Sequence, residues 1–227
     1  METIILRHAI GRFSDQLYSA AMYVPTHLAS AEVPIKVDNR LFKGKTLEFG
    51  PWKTTELDRD WTQSSGITLG DVGQKRGKTG YRFTLNKAGA AHYHVECLTM
   101  AQQHSISMGS GSLGMERVLL QCLVFDIPDH IQRAAFMHKF QGPDTSTPVD
   151  YPSHTWTVQQ EHRDQQGQNA FQPLGFVIRQ DNEIIAALQT VNQNKVWLKL
   201  ELPEAERDMA AALLSGIALY EKVYTDH

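Results

Sequence analysis

The sequence predicts an α+β, β-rich fold, an antiparallel sheet curled into a barrel around a buried C-terminal helix. Three observations carry this. First, Met209 to Tyr220 reads MAAALLSGIALY, apolar on every face and broken only by Ser215 and Gly216. A helix that is apolar all round has to be surrounded, and at 1.5 Å per residue this one spans about 18 Å, too short for a bilayer. Second, Leu174 to Arg179, Ile184 to Val191 and Lys195 to Leu200 read as three strands. The turn segments Gln180-Asp181-Asn182 and Asn192-Gln193-Asn194 join them so tightly that they must be antiparallel neighbours. Third, alternating or continuous apolar runs recur upstream at 81–85, 93–97 and 118–125.

The elements follow in order. Leu6, Ile10, Phe13, Leu17, Ala21 and Val24 fit one helix face over residues 3–23, with Pro25 as a stop. Residues 1–45 therefore form an N-terminal helix and a polar connection, and 46–227 a β-rich domain. Leu47 and Phe49 alternate, and Trp52 to Trp61 resumes a strand with Leu57 on the parity of Trp61. Residues 64–80, SSGITLGDVGQKRGKTG, are glycine-rich and charged and read as an exposed loop or hairpin end. Tyr81, Phe83 and Leu85 form a half-buried strand; Tyr93, Val95 and Cys97 are the inward parity of the next. Residues 101–114 read as a polar, glycine-rich connection, and Val118 to Phe125 as a strand covered on both sides. Pro128 or Asp129 opens a helix over 129–140, DHIQRAAFMHKF, which Gly142 closes. Thr155 to Gln159 is a strand, and RDQQGQN a turn. Pro203 then suits the first turn of a helix over 204–222, and Glu204, Glu206 and Asp208 complement its positive end.

Composition sets the outer bounds. With 227 residues, 41% hydrophobic and 21% charged, the chain supports one domain with a sizeable core or at most two small ones. The net charge is -3, and no run of lysine or arginine exceeds two residues, so no nucleic-acid partner is expected. No apolar segment is long enough to span a membrane as a helix. Arg7, Arg12 and Asp15 interrupt any signal-peptide core, and no cysteine precedes Cys97 for lipid attachment. The compartment is then cytoplasmic or periplasmic. Cys97 and Cys122 each sit in a strand-like run; they are either two buried thiols or a disulfide between neighbouring strands, which requires an oxidising compartment.

Three motifs could carry chemistry. GSGSLG, Gly109 to Gly114, spells a dinucleotide fingerprint, but polar sequence precedes it and a strand follows it, the reverse of the context that a pyrophosphate needs. A flexible connection is the better reading, and no cofactor is expected. His92 and His94 sit two apart on a strand, so both imidazoles could reach one metal, with a third ligand from elsewhere. The alternative is an ordinary solvent-facing parity. Glu56, Asp58 and Asp60 share a parity and read as a solvated face beside Lys53 and Arg59. No catalytic residue is assigned.

The last fifty-odd residues, from LGFVIRQDNEIIAALQ through LPEAERDMAAALLSGIALYEKV, resemble in plan the end of the tubby, scramblase and LURP-one-like group. That resemblance implies a β-barrel threaded by an apolar terminal helix, and phospholipid or membrane-linked roles. The stretch FGPWKTTELDRDWTQSSG followed by YRFTL is similar to uncharacterised bacterial envelope proteins. The leading expectation is a non-enzymatic binding or scaffold protein associated with the bacterial envelope, with association to a membrane surface or lipid left open. One alternative is a metal-dependent enzyme using His92 and His94; another is a carrier of lipids or apolar ligands.

Overall fold

The structure is a computed structural model and describes residues 21–220 except 41–43, 56, 61, 70, 109–110, 141–144, 153 and 193. The chain enters through a single helical turn, α1 (Thr26–Ala29). Fifteen strands follow: β1 (Glu32–Pro34), β2 (Lys36–Arg40), β3 (Gly44–Phe49), β4 (Trp52–Thr54), β5 (Asp58–Arg59), β6 (Gln63–Leu69), β7 (Val72–Lys87), β8 (Ala90–Met108), β9 (Gly111–Asp126), β10 (Gln132–Lys139), β11 (Ser146–Asp150), β12 (Trp156–Glu161), β13 (Gly175–Gln180), β14 (Glu183–Gln189) and β15 (Lys195–Leu198). Helix α2 (Glu204–Leu219) ends the described chain. Every strand pairing is antiparallel, in the order β1-β15-β14-β13-β12-β11-β10-β9-β8-β7-β4-β3-β2. Strands β4, β5 and β6 lie in succession along one edge of β7.

Closure of this sheet comes from one short segment. β1 pairs with β15 at one edge, β2 pairs with β3 at the other, and only Ile35 separates them. The Ile35 N–H donates to Asn194 O at 3.0 Å, so the seam is held on the β15 side. The turn chemistry matches the sequence: Asp181 and Asn182 both take positive φ between β13 and β14, as a two-residue hairpin of the type that follows strand twist requires. Ala88 and Gly89 do the same between β7 and β8.

Helix α2 fills the interior. Its residues from Asp208 to Leu219 are all buried. They pack against inward side chains from around the sheet, among them Leu47, Phe83, Val95, Leu120, Phe136, Trp156, Ile178 and Leu188. The two residues that break the apolar block have local reasons. Ser215 Oγ donates to Ala211 O, 2.8 Å away, so its hydroxyl is satisfied within the helix. Gly216 faces Cys97 and Cys122, which stand opposite each other on β8 and β9 and form a disulfide. A Cβ at Gly216 would lie 3.1 Å from both sulfur atoms.

The helix ends are polar, and the barrel supplies their partners. At the C-terminal end Tyr81 Oη donates to Gly216 O at 2.7 Å, Lys45 Nζ to Ala218 O at 3.2 Å and Arg59 Nη2 to Leu219 O at 3.4 Å. These donors meet carbonyls that no further helical turn can satisfy, and the two cations sit at the negative end of the dipole. A second apolar layer of Met22, Leu28, Leu174, Val177, Ile184, Ala187 and Trp197 covers the outside of β13–β15. That is why β13 and β14 are buried on both faces.

The structure corrects two expectations. Residues 129–140 are not a helix: Gln132–Lys139 is β10, paired with β9 and β11, with Ala134, Phe136 and His138 inward. The described residues of 101–114 are not a connection but the ends of β8 and β9, whereas those of 64–80 form the β6–β7 hairpin, the second of the two forms expected for them. The expected helix 3–23 lies almost wholly outside the described residues, and Met22 makes an isolated bridge to Asp164. The expected extension of α2 to 222 also falls partly outside them.

Gly216 gives a test of the packing. Replacing it with alanine adds helix propensity of about 1 kcal/mol but drives a methyl group into a buried disulfide, an overpacking cost of about 1–3 kcal/mol. Gly216→Ala is therefore expected to lower stability to chemical denaturation. In a Cys97→Ala, Cys122→Ala background the sulfur atoms are gone and the same change becomes neutral or stabilising. The four-corner cycle of unfolding midpoints measures it.

Candidate functional site

The core cluster ends along β7, β8 and β9 at Tyr81, Cys97 and Leu120. The strands do not end there. β7 and β8 are 16 and 19 residues long, and with β6 and β9 they run on past the barrel as a four-stranded arm. Ala101 and Val118 at its root pack with Phe140 and Tyr220. The β8–β9 hairpin runs one row past the β6–β7 hairpin: Leu69 pairs with Val72, Val72 with Ile106 and Ile106 with Leu113, and β8 and β9 continue to Met108 and Gly111.

Register and the two-residue side-chain period sort this arm into two faces. The parity continuing the barrel interior holds Gly73, Lys75, Gly77, Gln103 and Ser105, small or polar residues. The opposite parity is arranged in rows. Nearest the barrel stand Lys78, Met100, Leu119 and Lys139; next come Ser65, Arg76, Gln102 and Arg117; then Ile67, Gln74, His104 and Met115; and beyond them Val72 and Ile106, in register with Leu69 and Leu113. Ile67 is 68% exposed, Met115 61%, Val72 55% and Ile106 49%. With Met100 they are five of the ten large apolar side chains exposed among the described residues, gathered on one face of one arm.

The first two rows line a groove of about 1150 Å³. Arg76, Lys78, Arg117 and Lys139 give it four cations, and Met100 and Leu119 an apolar floor. Among the described residues no ion pair joins any of these four to a carboxylate. Asp58 accepts from Arg82 Nε at 2.7 Å, and Asp60 lies over Gly80. The sequence showed only the pair Lys75-Arg76; antiparallel pairing places Arg117 in the row of Arg76, two strands away, and Lys139 in the row of Lys78, three strands away, from about 40–60 positions along the chain.

The histidine pair takes a different form from the one expected. The β7–β8 register passes from Leu85↔Tyr93 to Asn86↔Ala91, so His92 is the extra residue of a bulge. A bulge re-aims a side chain, and His92 turns to the helix, its Nε2 3.0 Å from Asp208 Oδ2 but without the alignment of a hydrogen bond. His94 keeps the outward parity, its Nε2 3.2 Å from Glu96 Oε1 and its ring near Phe125 and His130. The two imidazoles serve different carboxylates. Among the described residues no three His, Cys, Asp or Glu side chains group as a metal site. Of GSGSLG, Gly111 to Gly114 lie in strand β9, and Gly109 and Ser110 fall outside the described residues. Glu56 also falls outside them.

Asp208 is the centre of a buried polar knot at the start of α2. It accepts from Trp52 Nε1 at 2.9 Å and from Lys87 Nζ at 2.8 Å, and Lys87 also reaches Glu204. Burial works against the Lys87 charge, but hydrogen bonds to Asp208 and Glu204 outweigh it and raise the ammonium above its ordinary value; the same contact lowers Glu204. Elsewhere, Glu161 is held below the usual carboxylate range because hydrogen bonds from Arg163 outweigh its burial. His138 is pushed down to about 4 by burial, with Nδ1 at 3.1 Å from Thr147 Oγ1 and its ring among Phe140 and Phe176.

Comparison of the chain with family models, with curated proteins and with solved structures finds no match.

Two predictions follow from these buried groups. Asp208→Ala leaves Trp52 without its acceptor and Lys87 with Glu204 alone, and should cost about 2–3 kcal/mol in denaturant unfolding, below the upper range for a broken buried pair because Lys87 keeps that partner and stays partly solvated. His138 takes up its proton in the unfolded chain near 6.5 but in the folded chain only near 4. The unfolded state therefore binds more protons in that window, and stability present above pH 6.5 is lost as the pH falls toward 4. The loss attributable to His138 is about 3 kcal/mol. Unfolding curves for the wild type and His138→Leu across that range should show it: the wild type loses that much more stability than the variant.

Proposed function

We propose that the protein is a non-enzymatic binding protein whose ligand is an anion carrying an apolar portion, held in the groove on the outer face of the β6–β9 arm. One observation carries this reading: Arg76, Lys78, Arg117 and Lys139 converge on the groove without carboxylate partners among the described residues, over a floor of Met100 and Leu119. Unpaired cations on a low-dielectric wall favour an anion. In a chain of net charge -3 their gathering on one face sets this surface apart.

The barrel interior favours this outer site over internal carriage of a ligand, because α2 already occupies it with every residue from Asp208 to Leu219 buried. The Cys97–Cys122 disulfide supports placing the protein in an oxidising compartment such as the bacterial envelope.

The test uses a short-chain phosphatidic acid below its micelle concentration, followed by calorimetry and by amide shifts. Saturable binding is expected, with shifts mapping to the groove rows. Arg76→Glu with Arg117→Glu should weaken it by about 2 kcal/mol or more, at unchanged melting temperature, because charge-assisted bonds are replaced by repulsion. Binding that ignores the double charge reversal would remove the reading.

A further inference from the structure

Resting on that reading, we infer that the arm docks on an anionic phospholipid bilayer, with the apolar rows toward its end entering the apolar boundary and its arginines meeting the lipid phosphates. The surface concerned is the arm, outside the barrel and its terminal helix.

The row order carries the inference. Successive rows on one face are two residues apart, about 7 Å along a strand. Toward the end of the arm one row presents Ile67 and Met115 beside Gln74 and His104, and the next Val72 and Ile106, the four apolar side chains all exposed, with Leu69 and Leu113 at the register level of the last pair and β8 and β9 running one pair further, to Met108 and Gly111. Together they span about 7 Å, matching the roughly 5–10 Å to which interfacial amphipathic elements sink. One row further back stand Arg76 and Arg117, and one more brings Lys78 and Lys139. Apolar tip first and cations behind it is the order of a leaflet read from its acyl boundary outward. The opposite face, with Gly73, Lys75, Gly77, Gln103 and Ser105, is small or polar and suits water.

Two other occupants fit less well. A second copy paired face to face through the apolar rows would bring like charges from the arginine rows together, which opposes association. A nucleic acid would use the cations, but the rows named offer only the His104 imidazole for base stacking and leave the apolar end without a role.

The experiment is co-sedimentation with vesicles of phosphatidylcholine, with and without phosphatidylglycerol. Partitioning is expected only onto the phosphatidylglycerol vesicles and should weaken with added salt. Ile67→Ser with Met115→Ser should cut that partitioning by about tenfold, by removing buried apolar area. The same variant should leave binding of the short-chain phosphatidic acid unchanged. Ile106→Trp should show a blue-shifted, lipid-quenchable emission on vesicle addition. Binding of the short-chain lipid without vesicle binding overturns this inference and leaves the preceding reading standing; loss of both overturns both. Vesicle binding indifferent to the serine changes overturns insertion. A dimer in sedimentation equilibrium that the serine changes dissolve assigns the apolar rows to a second copy instead, and duplex DNA binding indifferent to them assigns the cations to nucleic acid.

Discussion

Helix α2 presents twelve consecutive buried residues, and a sheet has to cover them from every direction. A flat sheet covers one face of a helix; a sheet that curls until its edges approach covers all of it. The segment from Glu32 to Arg40 completes the turn, pairing with β15 in its first half and β3 in its second. Enclosure also creates a problem, because a helix surrounded by apolar side chains has unsatisfied polar groups at both ends. Lys45, Arg59 and Tyr81 reach the last carbonyls, while Trp52 and Lys87 gather on Asp208 at the other end. The polar residues facing the interior are therefore concentrated where the helix backbone needs them. Gly216 and the disulfide mark where helix and sheet approach so closely that neither can carry more volume.

The arm follows from a mismatch of lengths. Helix α2 needs about 24 Å of cover for its 16 residues. β8 at 19 residues extends about 65 Å. The excess has no helix to wrap, so its inward parity is small and polar while its outward parity is free to be apolar and basic. Strands that outlast their core are normally an aggregation hazard. Here β6, β7, β8 and β9 pair in succession, so that the arm is a sheet in its own right.

The sequence is most legible where local chemistry and burial agree. The all-apolar block at Met209 to Tyr220 and the turn residues Asp181 and Asn182 each have one physical reading, and both hold. Residues 132–139 mislead because Gln, Arg, Ala, Met and Lys are good helix formers. Pairing with β9 and β11 outweighs that preference, and the buried His138 disguises the alternation of Ala134 and Phe136. The arm misleads for a different reason: paired strands beyond a core lack the apolar alternation that identifies a strand, and their glycines imitate a loop. His92 depends on a bulge, which no periodicity reports. The cationic groove is assembled from β7, β9 and β10 and exists only once register is known.

Enclosure of α2 is tested most directly by native-state hydrogen exchange. A helix with no solvent-facing side can expose its amides only when the barrel opens, so amides from Met209 to Leu219 should exchange with the free energy of global unfolding and with its full denaturant dependence. Exchange of these amides through a smaller, denaturant-insensitive opening, faster than that of the central strands β8, β9 and β13, would contradict it.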